Sequence, residues 1–227
     1  MKTLGIALLT TGLACSALAL DRTELDNRIR LLSVKFEAMQ SKPDKCIPAE
    51  TLQKARGIVL LDRTKAGFVF AYQGGSGVAM ARDPKTDRWS SAAFVSANEA
   101  SLGFQVGGQQ SFVVILLMNT NATQLLTQPN SEFGGEARGT AGDSSAGVEG
   151  VVKSPEQSVI VFDDRKGLYG GAAVKGGTIE PDDKANQIYY GRIVPMKEIL
   201  FEKKVEPTEA TSLLVEKINK GSKRAGK

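Results

Sequence analysis

Hydrophobic positions along the chain change period twice. Between Asp21 and Gln40, the residues Leu25, Ile29, Leu32, Phe36 and Met39 recur at steps of four and three, which places them on one stripe of an amphipathic helix. Asp21 and Thr23 suit its start, and Ser41-Lys42-Pro43 ends it. A second, short helix is predicted from Pro48, a tolerated first-turn proline, to the region of Arg56. From there the apolar residues come in short β-rich runs at 57–61, 66–72, 78–81, 89–95 and 103–106. The first two are separated by a polar turn at Asp62-Arg63-Thr64-Lys65, and Gly74-Gly75-Ser76-Gly77 reads as a flexible bend. The most hydrophobic run, 111–118, predicts a central strand that feeds a short helix through Leu125 and Leu126, capped by Asn119 or Asn121.

The second half is less regular. A stretch rich in Gly, Ser, Ala and acids at 129–150 contains only a weak strand pattern at 132–140. Strands are expected again at 158–162 and 168–179, the latter inside a glycine-rich segment that ends in a Tyr189-Tyr190-Gly191 turn. Helices at 195–201 and 207–220 close the chain, the last with Leu213, Leu214 and Ile218 as its apolar face. Strands in the middle and helices at the ends predict a single-domain α+β fold. The expected form is a strongly bent antiparallel β-sheet or partial barrel, its face covered by the N- and C-terminal helices.

Residues 1–19 read as a secretory signal peptide: Lys2 is the basic start, 4–14 the apolar centre, and Ala17-Leu18-Ala19 the small-x-small cleavage site. The folded domain is then 20–220, followed by a basic disordered tail at 221–227, and the expected location is the periplasm or the exterior of a bacterial cell. Attachment as a lipoprotein through Cys15 is the competing reading, opposed by the lack of a leucine three residues before that cysteine. Cleavage near Ala19 removes Cys15 and leaves Cys46 alone, so no internal disulfide is expected. The net charge of +4 is mildly basic and calls for no nucleic-acid partner.

Composition excludes much catalysis. The chain has no histidine, so Ser-His and Cys-His nucleophile pairs and histidine metal sites cannot form. Gly75-Ser76-Gly77-Val78-Ala79-Met80 lacks the last glycine of a dinucleotide fingerprint, and Gly74-Gly75-Ser76-Gly77-Val78 misses the nucleophile elbow by one residue. Asp163-Asp164 and Asp182-Asp183 are adjacent pairs that diverge on a strand, and they read as polar turn residues. The run Glu180 to Asn186 offers oxygen donors without the spacing of a known calcium loop. No cofactor or metal is expected, and the chain reads as a non-enzyme.

The ordered set Gly57, Gly67, Gly77, Trp89-Ser90, Gly103, Gly107, Gly167-Leu168 and Tyr190-Gly191 resembles the SYLF domain, also called the Ysc84 family, from roughly Thr51 to Ile218. The resemblance implies lipid binding: eukaryotic relatives bind phosphoinositides, some also actin, and exported bacterial relatives are lipid-binding proteins. The chain departs from the family pattern at Phe162-Asp163-Asp164-Arg165-Lys166 and at Ala141-Gly142-Asp143. The added acids oppose a phosphoinositide headgroup, which leaves an anionic phospholipid, a membrane surface or a related envelope lipid as the partner.

Two basic sets are candidates for lipid contact. Arg28, Arg30 and Lys35 flank the stripe of the first helix, as in a helix lying at a bilayer interface. Lys153, Arg165, Lys166 and Lys175 sit on or near the glycine-rich strands. Lys217, Lys220, Lys223, Arg224 and Lys227 would add non-specific attraction to an anionic surface. The alternative is an envelope interaction or structural protein that binds a protein or peptidoglycan partner. Third comes a carboxylate hydrolase built from distant acids such as Glu99 and Glu149.

Overall fold

The computed structural model describes residues 20–63, 74–98, 111–128, 131–132, 158–164, 167–170 and 178–223. The first helix, α1 (Arg22–Gln40), begins where Asp21 accepts a hydrogen bond from the Glu24 amide at 2.8 Å and ends at Ser41. Its expected stripe, Leu25, Ile29, Leu32, Phe36 and Met39, is buried. Helix α2 (Ala49–Lys54) follows Pro48.

Next come β1 (Gly57–Arg63), β2 (Gly74–Ala81), β3 (Ala93–Asn98) and β4 (Ser111–Leu117). Asn119 caps α3 (Thr120–Gln124), which continues as a 3-10 turn at Leu125–Thr127. Short strands β5 (Ser131–Glu132), β6 (Val159–Asp163), β7 (Gly167–Gly170) and β8 (Thr178–Pro181) precede α4 (Asp183–Tyr190), α5 (Met196–Leu200) and α6 (Glu209–Lys223).

All eight strands join one antiparallel sheet in the order β5-β8-β3-β2-β1-β4-β6-β7. Both of its faces are covered. Ile58, Leu60, Val78, Met80, Phe94, Val114 and Leu116 point into one core with α1, α4 and α6. Val59, Leu61, Ala79, Val95, Val113, Ile115 and Leu117 point into a second core with Leu126, Val194, Met196 and Ile199. Burial on two sides explains why 58–61 and 112–117 are uninterrupted apolar runs rather than alternating ones. The helices therefore cover two faces of the sheet, where the sequence pattern suggested one.

Four expectations change on contact with the structure. The run Gly74 to Gly77 is not a bend but the start of β2, paired with β1 and β3. Gly77 is needed there for space: a Cβ would lie 1.8 Å from the Leu60 carbonyl oxygen. Trp89 makes only an isolated bridge to Arg82, and β3 starts at Ala93, because Ser90 pairs with Ala81 by both its backbone and its hydroxyl. The segment 183–190 is a helix rather than a turn or an ion loop. Asp182 caps it by accepting the Ala185 amide at 3.0 Å, and Gly191, at φ +69°, closes it in the left-handed conformation. Finally, α6 runs on to Lys223 because Gly221 packs beside Phe36, Gln40 and Leu52. The expected strands at 66–72 and 103–106, the region 1–19, and the tail residues 224–227 lie outside the described residues.

Helix α4 also completes the sheet. Strand β8 ends at Pro181, which stands opposite Val95. At the next position of β3, the buried Asn186 side chain accepts from the Phe94 amide at 2.8 Å and donates to its carbonyl at 3.1 Å. The Asp182 amide still donates to the Phe94 carbonyl at 2.9 Å, so the Asn186 side chain adds the acceptor that the Phe94 N–H needs beyond the end of β8.

Candidate functional site

Of the two places open to the stripe of α1, the sheet and a membrane, the structure shows the sheet: its residues fill the core. The opposite, outward face carries a second and smaller apolar strip. Leu31 is 47 % exposed, Val34 is 62 % exposed, and Ala38 is exposed beside them, at helical steps of three and four. At about 100° per residue, Arg28 and Lys35 lie on one flank of this strip and Arg30 on the other. The basic residues named from sequence therefore border an apolar surface, but a different one.

Each of them has a carboxylate neighbour. Arg28 lies 4.0 Å from Glu24, and Arg30 reaches Asp26 at 2.9 Å and Glu209 at 3.4 Å. Asp26 holds the Arg30 guanidinium above its ordinary pKa through their hydrogen bond. On the same flank as Arg30, Glu37 receives Lys217 at 2.7 Å and Lys220 at 3.6 Å, and Lys217 draws its carboxyl below the usual range. The Arg30 and Lys220 side chains are substantially exposed, and pairs of that kind contribute only about 0–1 kcal/mol, so these two can turn to an external phosphate at little cost, whereas Arg28 and Lys217 lie largely packed beside their exposed carboxylate partners.

Lys35 differs. It pairs with Asp62 at 2.6 Å, and Asp62 is mostly buried, with its other oxygen lacking a hydrogen-bond partner. Lys35 neutralises that carboxylate and is committed to the fold. The second basic set, Lys153, Arg165, Lys166 and Lys175, lies outside the described residues, as do Glu99 and Glu149.

Three of the four paired acids have structural places, and the fourth, Asp183, is exposed on the first turn of α4. Asp164 accepts from the Phe112 amide at 3.1 Å, Asp182 caps α4, and Asp163 is buried at the end of β6. Among the described residues no group of three or more His, Cys, Asp or Glu is placed to hold a metal ion. Cys46 is exposed in the connection between α1 and α2. No described helix is long and apolar enough to cross a membrane.

The outward strip of α1 escaped sequence reasoning because Leu31 and Val34 fall between the stronger core positions. Its signal was the same three-and-four spacing, offset to the other side of the helix.

Comparison with known proteins gives a consistent picture. Residues 98–221 match the family model Ysc84, described as Las17-binding protein actin regulator. The chain is 32% identical over 184 residues to the SH3 domain-containing YSC84-like protein 1 of Xenopus laevis, covering 79% of this chain and 55% of that protein. Its human counterpart is 30% identical over 173 residues, covering 75% of this chain and 50% of the relative. Protein YSC84 of Saccharomyces cerevisiae is 29% identical over 175 residues, covering 75% and 37%. The chain thus spans about half the length of the animal relatives and less of the yeast one.

Proposed function

Because the chain belongs to the Ysc84 family, we propose that it is a non-catalytic module that docks on anionic phospholipid through the outward face of α1. One observation carries this reading: two large aliphatic side chains, Leu31 and Val34, stand in water on a helix face bordered by Arg28 and Arg30. A helix so built rests its apolar strip in the acyl boundary and turns its basic heads to phosphates. Lys217 and Lys220 extend the basic border across the neighbouring α6. The absence of histidine from the whole chain supports binding rather than acid–base chemistry. Residues 1–19 export the domain, which then works in the periplasm or outside a bacterial cell, on an envelope membrane.

Vesicle flotation tests the reading. The domain co-floats with phosphatidylglycerol or cardiolipin vesicles at low salt and is released as salt rises. No co-flotation at low salt removes the reading.

The family description favours a second reading, a protein-interaction module, since it names binding to a protein, Las17. Site-directed crosslinking in the native envelope distinguishes the two: adducts to a discrete protein from position 31 or 34, without lipid adducts, favour the second.

A further inference from the structure

A groove of about 580 Å³ lies where the end of β8, the start of α4 and the connection from α4 to α5 meet. Its apolar wall is Pro181, Ile193, Pro195 and Met196. Ile193 is 78 % exposed, the highest among the large exposed hydrophobics of the described residues. Its charge is acidic: Glu180 and Asp183 line it, and neither makes an ion pair among the described residues. The basic group at its rim, Lys197, faces Glu202 at 3.3 Å. The connection is braced: the Arg192 guanidinium donates to the Lys204 carbonyl at 2.9 Å and lies 3.6 Å from Glu198.

We propose that this groove takes a polypeptide segment of a partner protein in which lysine or arginine alternates with aliphatic residues. Charge decides between occupants. Two carboxylates with no ion pair among the described residues, beside aliphatic side chains, complement a basic, aliphatic segment and repel the phosphates of an anionic membrane. Position agrees, because Val194 and Met196 belong to the core on the face of the sheet opposite the one that α1 covers. A domain seated on a membrane by α1 would therefore keep the groove clear of the bilayer. The inference does not depend on membrane docking, and either can fail alone.

Amide shift mapping on the isotopically labelled domain tests it, with a capped peptide of alternating leucine and lysine as the probe and a leucine–glutamate peptide as control. The leucine–lysine peptide shifts the amides of Gln187, Ile193, Val194, Met196 and Lys197, and the control does not. Glu180→Gln with Asp183→Asn weakens binding about tenfold. Ile193→Ser, at an exposed position that leaves the fold intact, weakens it separately. The proposal is overturned if no amide in the groove moves at millimolar peptide, or if the amide variants bind as tightly as the parent. It is equally overturned if phosphatidylglycerol vesicles move these amides, or if self-association does so without peptide.

Discussion

Replacing Asn186 with alanine tests how the sheet is closed. Asn186 is fully buried, and its side chain holds both polar groups of Phe94. The two lost bonds are unequal. The Phe94 carbonyl keeps a second donor, the Asp182 amide at 2.9 Å, so little is lost there. The Phe94 N–H is left without an acceptor in the core, at a cost of about 1–3 kcal/mol. Alanine returns roughly 0.5 kcal/mol through better helix propensity in α4. The net expectation is a destabilisation of about 1.5 kcal/mol, from the orphaned amide. With a urea m-value near 2 kcal/mol/M the midpoint falls by about 0.7 M. The single tryptophan, Trp89, provides a fluorescence probe, since it lies under the Arg82 guanidinium at 5.0 Å and that contact ends on unfolding. A loss below about 0.5 kcal/mol would refute the reasoning, because the N–H would then have found another partner.

Gly77→Ala drives a Cβ into the Leu60 carbonyl, so β1 and β2 must separate; a loss of at least about 3 kcal/mol is expected in the same urea assay. Lys35→Ala strands the mostly buried Asp62 and costs about 2 kcal/mol, whereas neutralising Arg28→Gln with Arg30→Gln, whose carboxylate partners stay solvated, costs no more than about 1 kcal/mol. The arginine pair instead weakens binding to phosphatidylglycerol vesicles at least about tenfold, measured by flotation. Acid should destabilise the fold. Lys203 holds the Asp83 carboxyl below the usual range, helped by the Thr86 and Lys85 amides, and Lys217 does the same for Glu37. Depressed carboxyls contribute stability above their unfolded pKa and lose it as pH falls through the folded one, so the melting temperature drops from about pH 5 downward and is still falling below about pH 3. Asp83→Asn shrinks that drop, and a flat acid limb would contradict the pairing.

The parts of the fold that follow local rules were readable from the residues. The stripe of α1, the Asn119 cap and the apolar run of β4 each carry a periodic or capping signal that packing reinforced. Helix α4 was missed although Asp182, Ala185, Tyr189 and Gly191 mark its cap, buried face and end; the glycines just before it argued for extended backbone. The run Gly74 to Gly77 reads as a bend because glycines in sequence cannot say whether they grant a turn or make room, and only the Leu60 carbonyl beside Gly77 settles which. The site was half legible. Arg28 and Arg30 could be named, but which apolar strip they border depends on which side of α1 meets the sheet. Sequence could not separate Lys35 from them either, because its partner, Asp62, lies on another element.

The most direct test of membrane docking puts an environment-sensitive fluorophore on the outward strip, by Val34→Cys in a Cys46→Ser background. On adding phosphatidylglycerol vesicles, emission from position 34 shifts to the blue and brightens, while the same probe at Ala38→Cys reports the same boundary. Emission that stays at the value in water, while the protein nevertheless floats with the vesicles, would contradict the assignment of this face.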